Sequence, residues 1–478
     1  MLRRSLLNSS REFVDTFCFT SLPGLLLVFA PIGLLLSILL CLMGYYGFAL
    51  VIGGLLITIV LVLRLDAIAM ICVVATHLYV DWYLGLHLVA PVLAIALLIF
   101  YYLLRTPSHP WTRPGISWLW GIFLIITIPP AIRGGRFMLY DAASFYPSDI
   151  LGAFLMFWLG GVVAHNKWHL RLLFLALTVF AVVLAVHTII QATTGTILFG
   201  SSHIDDFLAR SDIDNYQLAG TYTYRSGSFF IDPNWNGAFF ALAFFLPLGL
   251  FSATTILWEK CCYVGSMVVI LIALMFTYST GSWIAFLIGM FVFLIMVGKT
   301  SYRLFLPICI ALVVLLVLCF FPAQVQLQLK HATANNELSL RIAVWLTAIR
   351  VVQAYPLTGV GLGHQAYLIN SNAYRVVEQF VLLSHPHDSY LEWAAMAGIP
   401  VLLSFLLVLS GGLWLAWKNW LTGDRELRPL IGAGITATLV LSVNSISING
   451  WTHFALAMIA WLIVGAVASP LVCCDMQG

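Results

Sequence analysis

The chain has 478 residues, of which 62% are hydrophobic and only 9% charged, and its mean hydropathy is +1.01. Water-soluble domains carry about 25% charged residues, so a soluble globular protein is excluded. The net charge of +3 says little about partners in so apolar a chain, and no nucleic-acid partner is expected.

A membrane span needs about 20 mostly apolar residues, because hydrocarbon offers no partner to unpaired backbone groups. Candidate runs fall at 23–43, 47–64, 67–84, 88–104, 116–132, 149–165, 170–193, 236–256, 262–279, 282–298, 304–321, 394–417, 429–447 and 452–470. The expected fold class is all-α: a polytopic integral membrane protein of 12–14 transmembrane helices, with a large extracytoplasmic loop containing short helices. With the amino terminus inside, fourteen Lys and Arg fall on the cytoplasmic side and eight outside, and four of the five lysines lie inside. The positive-inside rule therefore makes both termini cytoplasmic. The basic start MLRRSLLNSSREF precedes a long apolar run without a clear small-residue cleavage site, so it reads as a retained first span. None of the nine cysteines falls in an outside loop of this topology, which argues against a disulfide framework.

Residues 1–193 form an amino-terminal transmembrane scaffold with aromatic residues such as Trp82 and Trp111 at its water boundaries. Arg133-Gly-Gly-Arg136, followed by Asp141 and Asp149, reads as a solvated outside loop. Residues 194–235 are a first extracytoplasmic loop. Its Asp212-Ile-Asp214 is too common a pattern to indicate a metal site, and it lacks the glycine and distal glutamate of a calcium loop. Arg225-Ser-Gly-Ser-Phe leads to Asp232-Pro-Asn234 just before the next span. Composition alone leaves a helix-starting turn and a surface arginine for lipid head groups equally open. Further spans occupy 236–321.

Residues 322–393 are a large extracytoplasmic loop, and 394–478 the carboxy-terminal spans. The stretch 339–400 concentrates the ionisable groups. A helix is expected from Leu338 to Ala354, stopped by Tyr355-Pro356. Arg341 and Arg350 recur along it. Gly359-Val-Gly361-Leu-Gly363 follows a helix rather than a strand, so it is a tight backbone turn and not a dinucleotide fingerprint. Then comes His385-Pro-His387-Asp388-Ser-Tyr390-Leu-Glu392. Two histidines around a proline lack further metal ligands at suitable spacing. A general base suits them better, since imidazole accepts a proton near neutral pH, with a polar helix-entry turn as the plain alternative. Asn444, Ser445, Asn449 and His453 in the last spans read as helix caps and polar glue.

Arginines beside apolar spans suit a substrate with a phosphate head and a lipid tail, because guanidinium binds phosphate bidentately and keeps its charge. The succession Arg341-x3-Trp345, Pro356-Leu-x-Gly-Val-Gly361-Leu-Gly363, His387 and Gly398-Ile-Pro400 resembles the O-antigen ligase and polymerase superfamily. Arg225-x-Gly-x-Phe with Pro233-Asn234 is similar to an upstream family segment, so the resemblance spans about 225–400. It implies a metal-independent glycosyltransferase, without a cofactor, at the outer face of a bacterial inner membrane. The implied partners are an undecaprenyl-diphosphate-linked glycan donor, a glycan or lipid-linked acceptor, the lipid bilayer and a chain-length regulator. It also implies His387 as catalytic base, with Arg225 and Arg341 on the diphosphate. Asp388, His385, Asn234, Glu392, Gly361 and Gly363 are supporting residues. Two positions depart from the family. Asp388 stands where Asn is usual, and Ser279-Thr280-Gly281 lacks an expected arginine, for which Arg350 or Arg375 would substitute. A polymerase is preferred over a ligase because fourteen spans exceed the ligase's usual twelve. A lipid-linked sugar transporter is the competing class, disfavoured because span interiors carry almost no ionisable residues beyond His77, His187 and His453.

Overall fold

The computed structural model of the protein describes residues 116–137, 139, 142, 145–164, 166–194, 215–218, 221–230, 232–297, 337–379 and 383–469. The runs expected at 23–43, 47–64, 67–84, 88–104 and 304–321, and the Asp212–Asp214 motif, lie outside these residues.

In chain order the helices are α1 (Ser117–Ile126), α2 (Ile128–Gly135), a π-helical turn (Tyr146–Leu151), α3 (Gly152–Val163) and α4 (Lys167–Thr194). Next come α5 (Pro233–Ala243), α6 (Phe245–Ala253), α7 (Leu257–Phe276) and α8 (Thr280–Val297). The last group is α9 (Glu337–Ala354), α10 (His364–Ser371), α11 (Ser389–Ala397), α12 (Ile399–Thr422), α13 (Leu427–Asn444) and α14 (Phe454–Ala468). Among the described residues, seven stretches are long and apolar enough to cross a membrane: α1–α2, α4, α5–α6, α7, α8, α12 and α13. Ser148–Val163 and α14 are shorter apolar helices. Each of these nine stretches overlaps a run expected from the sequence, so the chain is a multi-pass helical membrane protein.

Lipid is as apolar as leucine, so helices in a membrane associate by close packing and polar contacts rather than by hydrophobic exclusion. The pair α3 and α14 shows the packing device. A Cβ on Gly160 would come within 2.2 Å of the Leu462 carbonyl oxygen, and one on Gly465 within 1.9 Å of Phe157 O. Small residues on both sides bring the two backbones together. Helices α5–α6 and α13 are the most buried spans, whereas α7 and α8 present Trp258, Val268, Ile284 and Phe291 outward.

The connections segregate to two ends. At one, Lys167 pairs with Glu426 and Asp424, and Arg171 with Glu259. At the other, the segment before α5, the α7–α8 turn, the long segment between α9 and α11, and the α13–α14 connection converge. Asn444 Nδ2 donates to Ser282 Oγ (2.8 Å), and Trp235 Nε1 to Asn449 Oδ1 (2.7 Å). These groups are the polar glue expected of the last spans.

Three local expectations change. A two-stranded antiparallel hairpin, β1 (Asn215–Leu218) with β2 (Thr221–Tyr224), stands among described residues that are otherwise helical or connecting. The run Thr-Tyr-Thr-Tyr has the β-branched and aromatic content that strands favour. Arg133 does not stand in a solvated loop. Helix α2 continues to Gly135, and Arg133 Nη1 donates to Thr358 Oγ1 (2.8 Å) while its guanidinium lies 4.6 Å over the Tyr355 ring. The span expected at 394–417 divides at Gly398, whose φ of +93° turns the chain between α11 and α12.

Candidate active site

Helix α9 runs as its composition dictates and ends before Tyr355-Pro356, since proline cannot continue it. The glycine turn that follows is built for close approach. Val360 N and Gly361 N donate to the Ala395 and Met396 carbonyls of α11, and Leu362 N to Pro130 O of α2, all at 2.9 Å. Gly361 has φ +118°, and a Cβ there would stand 2.7 Å from Gly134 Cα. Gly363, at φ +114°, precedes α10, and its carbonyl accepts from Tyr367 N (3.1 Å). The tight course expected of these glycines is present. The amide of Gly361 is spent on the protein and does not face an anion.

The segment 384–388 then leads into α11. Asp388 caps this helix, its Oδ1 accepting from Tyr390 N (2.8 Å) and Leu391 N (2.9 Å). This supporting residue therefore serves the helix terminus, the usual use of Asp at such a position. Burial pushes its carboxyl up to about 6, against the opposing pull of the two backbone N–H groups. Ser389 N donates to Ser445 O (2.9 Å) and Trp451 N to Ser389 Oγ (2.9 Å), which ties the start of α11 to the α13–α14 connection.

His387 sits between these anchors with φ +53°, a conformation that costs a non-glycine residue on the order of 1–2 kcal/mol. Its imidazole is pushed down to about 4, first by burial and then by the Arg341 charge, with Asp232 opposing. It is neutral at pH 7 and has a lone pair to accept a proton. The ring of His385 stands edge-on to it with centroids 4.3 Å apart. Burial and neighbouring histidines hold His385 well below its ordinary value.

Two of the four arginines named from the sequence come to this end. Arg225 is buried, donating from Nε to Thr277 O (3.1 Å) and from Nη2 to Asn234 Oδ1 (3.0 Å). Asn234 is itself placed by Asp232, which caps α5 and accepts Asn234 N at 2.6 Å. Arg341 Nη1 donates to the Ser447 carbonyl. Arg350 is nine residues further along α9, about half a turn round the helix, and is exposed, as is Arg375. The structure brings neither to the Arg225–Arg341–His387 group. A Cβ on Gly281 would meet Ser447 Oγ at 2.4 Å, so the Ser279-Thr280-Gly281 turn adjoins the residue that receives Arg341.

The Arg225 loop rests on a buried polar network. His187 Nδ1 meets Ser228 Oγ at 2.8 Å, Ser228 N donates to Gln191 Oε1 at 3.0 Å, and Asn236 Nδ2 donates to Ser226 O at 2.9 Å. His187 thus supports the loop. The His453 ring lies tilted against Trp235 with centroids 3.9 Å apart. Ser228 and Tyr278 share with His387 a positive φ, at 49° and 50°, and are with it the only described non-glycine residues to do so. All three adjoin the site, where stored backbone strain is often found.

Sequence reasoning missed His364, Thr452 and Asp232. Glu392, which it named as supporting, is fully buried, accepts from Thr452 Oγ1 (2.6 Å) and meets His364 Nε2 at 3.2 Å. The position of His364 directly after the glycine turn was the available signal. Nothing in spacing could pair it with a residue 28 positions on.

No curated protein matches the chain. Residues 265–406, from within α7 into α12, match the family model described as O-Antigen ligase. Arg225 and Asn234 precede the matched residues and join them only through tertiary contacts. Function of the ligase or polymerase type in polysaccharide assembly goes with this family. The chain is a multi-pass helical membrane protein whose residues 265–406, the region around His387, are similar to the O-antigen ligase family.

Proposed function

We propose that the protein transfers a glycan from an undecaprenyl-diphosphate carrier to an acceptor hydroxyl at the periplasmic face of a bacterial inner membrane, acting as a polymerase of repeat units. His387 removes the proton of the attacking hydroxyl as its oxygen bonds to the anomeric carbon. The bond to the diphosphate breaks, and the leaving group departs with the electron pair. Arg225 and Arg341 stabilise its growing charge, a term that is large where water is excluded. General-base help of this kind contributes about 10²–10⁴ in rate.

The observation that carries this reading is the convergence on His387 of Arg341 and of the Asp232–Asn234–Arg225 segment, from parts of the chain far apart in sequence. Fixing Arg225 through Asn234 and the Thr277 carbonyl leaves little to reorganise when charge develops. A ligase acting on a different acceptor is the second reading, favoured by the description of the matched family.

Purified protein in liposomes with an undecaprenyl-diphosphate-linked repeat unit separates the two. A product ladder from the donor alone means polymerase, and transfer only with a second acceptor means ligase. His387→Ala should abolish transfer with the protein still inserted; transfer at the wild-type rate would remove His387 as the base. Failure of all donors would return the chain to the transporter class.

A further inference from the structure

Beside His387 lies an acid–base pair that the assignment of the base leaves unused. Glu392 is fully buried on α11, one helical turn after its cap. A carboxylate oxygen accepts, so in its 3.2 Å contact with His364 the ring Nε2 carries the hydrogen. The other oxygen is held by Thr452 Oγ1. The His364 ring stands edge-on to Phe145 at 5.7 Å and 5.6 Å from His385, which in turn lies 4.3 Å from His387. His385 Nδ1 meets Ser384 Oγ at 3.2 Å, and its Nε2 is buried without a hydrogen-bond partner. A buried ring nitrogen left unpaired is unfavourable and calls for an explanation.

The charges around the three imidazoles are unevenly placed. At His387 the Arg341 charge outweighs the opposing Asp232, while the Glu392 carboxylate touches His364 at the other end of the row. A proton entering this row is repelled by the guanidinium and attracted by the carboxylate, so its lowest-energy position is His364.

We propose that the Glu392–His364 pair is the final acceptor of the proton released in glycosyl transfer, reached from His387 through His385. The proposal rests on His387 as the base. The hydroxyl O–H bond breaks as the oxygen–glycan bond forms, the diphosphate leaves with its electron pair, and the proton ends on His364 against the Glu392 carboxylate. Glu392 and Thr452 are positioning residues that act through His364, which takes the proton, and the second nitrogen of His385 is left available to the passing proton.

Steady-state transfer in liposomes, with an undecaprenyl-diphosphate-linked repeat unit as probe, tests this in the full chain. Glu392→Gln, His364→Gln and His385→Phe should each lower kcat by about 10–100-fold, while the donor KM changes by less than about twofold. His385→Phe keeps a ring for packing but no nitrogen, so it separates proton transfer from support even if Glu392→Gln inserts poorly. On one path, the double variant Glu392→Gln/His385→Phe should be no slower than the slower single one. Added imidazole should partly restore His364→Ala. Wild-type kcat in His385→Phe, or a raised KM with kcat kept in the inserted variants, would overturn the relay. His387→Ala is run beside them. If it alone is inactive, the relay falls and the base assignment stands; if it is active, the base assignment itself falls.

Discussion

The two ends of the bundle treat their polar groups in opposite ways. At one, Lys167, Asp424 and Glu426 pair while partly open to solvent, as do Arg171 and Glu259. At the other, Arg225 is buried and shared between Asn234 and the Thr277 carbonyl, and three residues hold strained backbones around it. Exposed ion pairs contribute about 0–1 kcal/mol, since water replaces either partner at little cost. A buried polar group has no such substitute, and losing one partner leaves the other desolvated. The difference teaches where chemistry can be held: directed, water-poor polar groups are preorganised for charge, whereas the solvated end only tolerates it.

The sharpest way to break this contrast is at Arg225. Arg225→Gln should lower transfer by about 10²–10³, the usual cost of removing a donor aimed at developing charge. Arg225→Lys should rescue little, because a single ammonium on a flexible stem does not reproduce the guanidinium fork. Transfer rates compared at equal insertion check this, and full activity in the lysine variant would show that charge alone suffices.

Gly361→Ala comes next. The positive φ and a Cβ 2.7 Å from Gly134 Cα should together cost about 2–4 kcal/mol. The measurement is the thermal midpoint in detergent; an unchanged midpoint would contradict the docking of the glycine turn on α2.

Smaller effects are expected at Asp388. Its folded pKa is raised from 3.8 to about 6, so its contribution to stability falls as pH rises through that window. His387 is lowered from 6.5 to about 4, so its contribution is lost as pH falls through an overlapping window. The slopes oppose each other. Asp388→Asn keeps a capping side chain and removes the first slope, so the variant's thermal midpoint should climb more steeply than wild type between about pH 4 and 6. A parallel pair of curves would refute the opposition.

The least effect belongs to the other end. Lys167→Ala should cost under about 1 kcal/mol and leave transfer unchanged, measured by the same melting and transfer assays. A large loss of activity there would remove the contrast between the ends.

Much of this was readable from sequence. Of the spans expected within the described residues, seven are helices long enough to cross a membrane and two are shorter apolar helices, because about 20 apolar residues in lipid have few alternatives to a helix. The stop at Tyr355-Pro356 and the tight course at Gly359–Gly363 were equally local, set by the missing proline N–H and by the absence of a Cβ. Arg225, Arg341 and His387 were nominated by motif order. That Asp388 caps α11 follows from the backbone path of that helix, which the His-Asp pair alone does not give. Arg350 was nominated by a recurrence along α9 that ignored the helical phase.

What the sequence by itself determined is the class of molecule, its spans among the described residues and its tight turns, because hydropathy, proline and glycine act locally. Only the tertiary structure decided which ionisable groups meet: Arg225 with Asn234, Arg341 with Ser447, and His364 with Glu392 and Thr452. Those pairings depend on how the spans pack side by side, and the close approach of helices that sets them is a property of facing surfaces, which linear spacing does not encode.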